Sequence, residues 1–217
     1  MKKEKVFEYP GERANVSWHA GLCIHIGECG HAKGELFVGG RKPWCDPNLV
    51  SDDEVNEVVL RCPTGALSAK FADGSREEQA DAENTVHVAY NGPLFVRGDL
   101  EIDGASEDAP GLQFRAALCR CGKSKNKPFC DNSHIDDDFA DYGAVGEKGD
   151  ASASSGGPLQ IKALTDGPLL LTGNMTISGG AGRQSWHGNK VFLCRCGESK
   201  NKPFCDGQHK KMGFKSE

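Results

Sequence analysis

CRCGKSKNKPFCDNSH (residues 119–134) and CRCGESKNKPFCDGQH (residues 194–209) are nearly the same sixteen residues, occurring twice in one chain. Each sets three cysteines and a histidine at the spacing C-x-C-x8-C-x3-H. The likeness runs well beyond the quoted stretch. A shift of 75 residues lays Val86 on Ile161, Gly92-Pro93-Leu94 on Gly167-Pro168-Leu169, Gly98 on Gly173 and Phe139 on Phe214, with no gap. A unit of about 54 residues is therefore duplicated, and a duplicated unit carries a duplicated site. Ahead of each motif, apolar residues alternate between Asn-Gly-Pro and Asp-Gly turns: Val86, Val88, Leu94, Val96, Leu100, Ile102. That pattern predicts short strands. Leu112 to Leu118 reads as one further strand feeding Cys119, and the second copy repeats the scheme. No room remains for a long helix. Each unit is expected to be mostly β, with its ligands in one loop and a short helix after it. Two such small units bury little alone and are expected to pack together.

The candidate ligands are Cys119, Cys121, Cys130 and His134, then Cys194, Cys196, Cys205 and His209. Three thiolates and an imidazole suit zinc or a [2Fe–2S] cluster. The C-x-C opening is unusual for a zinc knuckle and leans toward the cluster. Asp131 and Asp206 read as N-caps of a short helix that would place His134 and His209 at its third position. Pro128 and Pro203 stiffen the loop before the third cysteine.

On these residues the chain resembles the CDGSH iron–sulfur domain of the NEET family, whose pattern is C-x-C-x2-(Ser/Thr)-x3-P-x-C-D-G-(Ser/Ala/Thr)-H. Cys119, Cys121, Ser124, Pro128, Cys130, Asp131 and His134 match it, as do Cys194, Cys196, Ser199, Pro203, Cys205, Asp206, Gly207 and His209. Asn132 stands where the pattern has glycine, and Gln208 where it has a small residue. The resemblance implies one [2Fe–2S] cluster per unit, held by three Cys and one His, and two units in one chain acting as an intramolecular pseudo-dimer. A histidine ligand removes negative charge relative to thiolate and raises the potential.

The first 83 residues are a different unit. They carry 10 Lys+Arg against 15 Asp+Glu, whereas residues 84–217 balance at 16 against 16. Nothing in this distribution resembles a nucleic-acid footprint. Four cysteines lie here: Cys23, Cys29, Cys45 and Cys62. RCPTGAL (61–67) resembles the Cys-Pro turn that closes the cluster loop of bacterial-type ferredoxins, and CIHIGEC (23–29) resembles their C-x2-C-x2-C run with Ile26 at the middle position. Cys23, Cys29 and Cys62 then hold a [3Fe–4S] cluster, or a [4Fe–4S] cluster whose fourth ligand is Cys45 or, less well, His25. Ser51 and Glu54 form a capping box before Val55, Val58 and Val59, which predicts a helix over 52–61 that delivers Cys62. Trp18 and Trp44 are expected in the core or shielding the cluster.

The resulting expectation is an α+β chain: a small ferredoxin-like α+β domain (1–83), a first CDGSH unit (84–140), a flexible Gly/Ser-rich linker (141–157) and a second CDGSH unit (158–217). Ten cysteines would suit a disulfide framework only in an oxidising compartment. MKKEKVFEYPGE has no apolar run behind its charges, and no stretch is long enough to span a membrane, so the expectation is cytoplasmic. No nucleophile–base pair or nucleotide motif marks an enzyme. The reading is an electron-transfer protein with three clusters. The alternatives are a cluster storage or transfer protein, a redox sensor and, more remotely, a zinc-binding adaptor. Its partners would be redox proteins or apo iron–sulfur acceptors, not nucleic acid or membrane, and the internal duplication makes a monomer sufficient. Four bases balance four acids over 119–139, while five outnumber two over 194–214. The second site is accordingly expected to have the higher potential, and charge balance alone would dock the acidic front domain beside it.

Overall fold

The computed structural model describes residues 5–150 and 156–216. In the front third, β1 (Val6–Pro10), β2 (Ala14–His19) and β3 (Leu67–Phe71) form an antiparallel sheet in that order. Ala14 and Val16 point inward from β2 as its alternation requires. A short helix α1 (Glu28–His31) follows the Cys23 loop. The capping box starts α2 (Asp52–Leu60): the Ser51 hydroxyl accepts from the Glu54 N–H at 3.2 Å. Val55, Val58 and Val59 are the buried face of α2 and pack with Leu67 and Phe71 of β3. The helix ends one residue before Arg61, and its last turn presents Cys62.

The two repeats share one seven-stranded sheet. The first supplies β4 (Thr85–Val88), β5 (Leu94–Arg97), β6 (Leu100–Ile102) and β7 (Arg115–Leu118), and the second supplies β8 (Leu159–Ala163), β9 (Leu169–Ser178) and β10 (Gln184–Leu193). The order is β6-β8-β9-β4-β5-β7, with β10 also on β9. Strands cross between repeats reciprocally. Val86 of β4 pairs with Ile177 of β9, and the same pairing shifted by 75 residues joins Ile161 of β8 to Ile102 of β6. Val86, Val96, Leu118, Ile161, Leu171 and Leu193 are among the residues of one continuous buried cluster drawn from both copies.

The copies differ where the first meets the front domain. Residues 110–113 turn as a 3-10 segment, so the strand expected from Leu112 begins only at Arg115; Pro110 cannot sit in a paired strand interior. The second copy runs a β9–β10 hairpin there, with register shifts at Gln184/Trp186 and Gly188/Lys190, closed at Gly179–Gly182. Gly65 of the front domain and Gly111 are in direct contact: a Cβ on either would lie 2.5 Å from a main-chain oxygen across the seam. Leu22 and Ala66 of the front domain belong to the same buried cluster as the repeats.

The stretch expected as a linker is held along the part that is described. Asp141 pairs with Arg120, the Gly180 N–H donates to Gly143 O at 2.8 Å, and the Asp150 N–H donates to His187 O at 2.8 Å. Residues 151–155 lie outside the described residues. Among the described residues no helix is long and apolar enough to cross a membrane.

Candidate metal centres

Each rear motif is a loop braced from three sides. Ser124 donates to Phe129 O (2.6 Å) and accepts from the Asn126 N–H (3.0 Å); Ser199 does the same with Phe204 and Asn201. Arg120 lies between the first two cysteines, fully buried. Its Nε donates to Gly92 O at 2.7 Å and its guanidinium lies 5.0 Å over the Phe139 ring. Arg195 repeats this with Gly167 O (3.0 Å) and Phe214 (5.6 Å). The shared Gly-Pro turn, arginine and distal phenylalanine of the duplicated unit are thus one bracket around the C-x-C.

Asp131 is a clamp rather than the N-cap expected. Its Oδ2 accepts from the Lys125 N–H (2.8 Å) and its Oδ1 from the Ser133 N–H (3.0 Å). The cap position belongs to Asn132, in the left-handed conformation at φ 71°, so the helix α3 (Ser133–Asp136) starts one residue late and His134 is its second residue. In the second copy Gly207 (φ 86°) caps α4 (Gln208–Lys211), with His209 likewise second. The left-handed step re-aims the helix, and Asn tolerates it nearly as glycine does. Burial raises the Asp131 carboxyl, but the Ser133 and Lys125 donors outweigh it and hold it below the usual carboxylate range.

The donors arrive in pairs. Cys119 Sγ and Cys121 Sγ are 3.7 Å apart, and Cys130 Sγ is 3.4 Å from His134 Nδ1. The second site gives 3.8 Å for Cys194–Cys196 and 3.4 Å for Cys205–His209. Two sulfurs bound at about 2.3 Å to one tetrahedral metal lie about 3.8 Å apart. Each pair therefore has the spacing of two ligands on one metal atom. Among the described residues no three Cys, His, Asp or Glu side chains converge as one ion requires. A donor set of two plus two fits a two-iron group. Within each C-x-C one thiol is acidified at the other's expense: the Cys121 hydrogen bond lowers Cys119 to about 6, and Cys121 rises in turn. Cys194 and Cys196 behave alike. Burial pushes Cys130 up to about 11, a thiol that gains by giving its proton up to a metal. Burial and the Arg120 charge lower the His134 imidazole, keeping it neutral and able to ligate.

The two rear sites touch through their own main chains. Cys121 and Cys196 form an isolated antiparallel bridge. Gly122 (φ 84°) and Gly197 (φ 85°) flank it, and a Cβ on either would lie 2.5 Å from the carbonyl oxygen of the opposite cysteine.

The front site is a cavity of about 440 Å³ lined by Cys23, Cys29 and Cys62, with Trp18, Trp44 and Ile26. Cys23 Sγ lies 4.0 Å from His25 Nδ1, and Cys62 Sγ lies 3.5 Å from Thr64 Oγ1. Ile26, where a ferredoxin run would have its middle cysteine, is 48% exposed at the rim. Cys45 does not line the cavity. It sits in the core behind Trp44, 1% exposed, and burial pushes its thiol up to about 12. Burial and the neighbouring Cys62 and Cys23 raise the Cys29 thiol.

This site faces the first rear site, not the second as charge balance suggested. Asn132 Nδ2 donates to Ile24 O at 2.6 Å and Asn126 Nδ2 to Gly21 O at 2.8 Å. Ile24 packs with Ala117 and Cys130. Arg115, fully buried, binds both Glu78 oxygens at 2.7 Å and donates to the carbonyls of Val59, Cys62 and Leu67. Short-range polar fit decides the docking, whereas a net charge spread over a surface is screened within about 10 Å. None of Arg115, Asn126 and Asn132 stood out as functional in sequence. For Arg115 and Asn132 the signal lay in the departures between copies, since Lys190 and Gly207 occupy their places; Asn126 has Asn201 in its place and carried no such signal.

Comparison with known proteins agrees with the geometry. The family described as "Iron-binding zinc finger CDGSH type" matches residues 91–135 and 166–210, and "Divergent 4Fe-4S mono-cluster" matches residues 9–70. Uncharacterized protein YjdI of Escherichia coli, from strain K12 and from O157:H7, is 41% identical over 59 residues, covering 27% of this chain and 78% of that protein. No solved structure matches. With two rear loops whose donors come as matched pairs and a three-thiol cavity in front, the chain carries two CDGSH-type iron-binding domains in tandem, with a divergent 4Fe-4S mono-cluster domain ahead of them.

Proposed function

We propose that this iron–sulfur protein is an electron carrier with three centres. Cys119, Cys121, Cys130 and His134 hold one [2Fe–2S] group, and Cys194, Cys196, Cys205 and His209 hold another. Cys23, Cys29 and Cys62 hold one [3Fe–4S] or [4Fe–4S] group in a ferredoxin-like front unit. Bound there, the groups supply reversible one-electron chemistry. The protein buries five of the six rear thiols, leaves the three front thiols partly exposed in their cavity, and places the sites close together. The observation that carries the reading is the pairing of donors, two and two, in each rear loop. The reciprocal pairing of β4 with β9 and β8 with β6 supports an intramolecular pseudo-dimer. Cys45 is read as a core thiol, because it lies outside the cavity wall. Such a carrier would work between redox partner proteins in a reducing compartment such as the cytoplasm.

The test is iron, sulfide and zinc per chain on anaerobically purified protein, with EPR before and after dithionite. The reading expects about four irons from the rear and about three or four from the front. A signal before reduction assigns [3Fe–4S] to the front. Two or three zinc ions per chain without sulfide would overturn the reading.

A further inference from the structure

The front cavity and the first rear site are joined by a continuous set of contacts that the second rear site lacks. Cys23 lines the cavity, and its neighbour in the chain, Ile24, is 4% exposed and packs against Cys130. The Ile24 carbonyl accepts from Asn132 Nδ2 at 2.6 Å, and the main-chain N–H of the same Asn132 donates to Cys130 Sγ at 3.5 Å. From Cys23 to Cys130 there is thus one peptide unit, one side chain and two hydrogen bonds. Asn126, in the same loop, holds Gly21 on the other flank. In the second copy the counterpart of Asn132 is Gly207, with no side chain to offer, and the counterpart of Asn126 donates instead to Glu147 at 2.5 Å. The second rear site meets the first through the Cys121–Cys196 bridge.

We propose that Asn132, supported by Asn126, is a positioning residue that wires the front site to the first rear site alone, so that the three sites stand in series: front, first, second. This rests on the electron-carrier reading above. One electron crosses at a time. The site that gives it is oxidised by one, the site that takes it is reduced by one, and no bond breaks. The electron enters the front from a one-electron donor of the flavin or iron–sulfur class and leaves the second rear site to an acceptor of the same class. The departure of Asn132 from the glycine of the CDGSH pattern acquires a purpose: it keeps the left-handed step and adds an amide that reaches across the seam.

The test compares the full wild-type chain with Asn132→Gly, which keeps the backbone step and removes only the amide, and with Asn126→Ala. Hydrogen exchange of the 21–28 segment is read first. Losing one neutral hydrogen bond is expected to speed it about tenfold. Stopped-flow reduction with dithionite is read second. The front is expected to reduce as before and the rear sites several-fold more slowly, with iron content unchanged. Unchanged exchange at 21–28 in both variants overturns the proposal. So does an iron-loaded Asn132→Gly chain whose rear sites reduce at the wild-type rate, and that result leaves the carrier reading standing. A chain that binds zinc and no iron removes the carrier reading and the series with it, an outcome the metal analysis identifies separately.

Discussion

Replacing Arg115 with methionine should cost the whole chain about 3–4 kcal/mol. The guanidinium has no exposed surface and the Glu78 side chain is 14% exposed. It makes two 2.7 Å bonds to that carboxylate and donates to three front-domain carbonyls at 2.8, 2.6 and 3.1 Å. Removing one partner of a buried pair typically costs about 3–5 kcal/mol, because the other charge is left without compensation. The residual exposure of Glu78 lets some water in, which sets the estimate toward the lower end. For a chain of this size about 1 kcal/mol moves the melting temperature by about 2–4 °C, so the drop should be on the order of 10 °C. Calorimetry and urea unfolding of the full chain give the number. Arg115→Lys keeps the charge but not the fork and should lose roughly half as much. Arg115→Met combined with Glu78→Gln should recover part of the loss, since no uncompensated charge then remains. A drop below about 1 kcal/mol for Arg115→Met, or a double variant no better than the sum of its singles, would refute the reasoning. Faster hydrogen exchange over 59–67 would place the damage at the seam.

Cys45→Ala should keep the full iron content and lose about 1 kcal/mol to a small cavity, whereas Cys62→Ala should lose the front share of iron; an equal loss from both would make Cys45 a ligand. Gly122→Ala and Gly197→Ala should each destabilise the chain by roughly 1–3 kcal/mol, since each puts a Cβ 2.5 Å from a carbonyl oxygen at positive φ; melts indistinguishable from wild type would count against the bridge. The hydrogen bond from Lys215, with the Ser216 N–H, holds the Asp166 carboxyl below the usual carboxylate range. Its folded value lies under its unfolded one, so this tether is fully present above the ordinary carboxylate range and is lost as pH falls through the lowered value. The Ser216 amide followed by NMR on acidification should report that step in wild type and not in Asp166→Asn.

Much of the rear half could be read from the 75-residue shift. It predicts the positions of β4, β5 and β6, and the loops in which the paired donors meet, because spacing within a loop is a local property. The capping box marks α2 for the same reason. What the sequence hid depends on distant partners. Asn132 meets a carbonyl 108 residues away, and Arg115 reaches back 53 residues to Cys62. Residues 112–114 looked like strand because Leu112 and Phe114 keep the alternation, yet Pro110 and the approach of Gly65 to Gly111 turn the segment. Cys45 is a cysteine like the rest in composition, and only its place behind Trp44 separates it from the cavity. The docking of the front domain was misjudged from net charge, a long-range quantity, when short-range contacts of Arg115, Asn126 and Asn132 decide it.

The crossing of β4 onto β9 and of β8 onto β6 has a consequence for dilution. Two separate chains that exchanged strands in this way would fall apart as their concentration dropped, and their stability would follow mass action. Here both partners are on one polypeptide, so each meets the other at a fixed effective concentration that no dilution can lower. The rear sheet, and with it the face-to-face approach of Cys121 and Cys196, is therefore as well assembled in a scarce protein as in an abundant one.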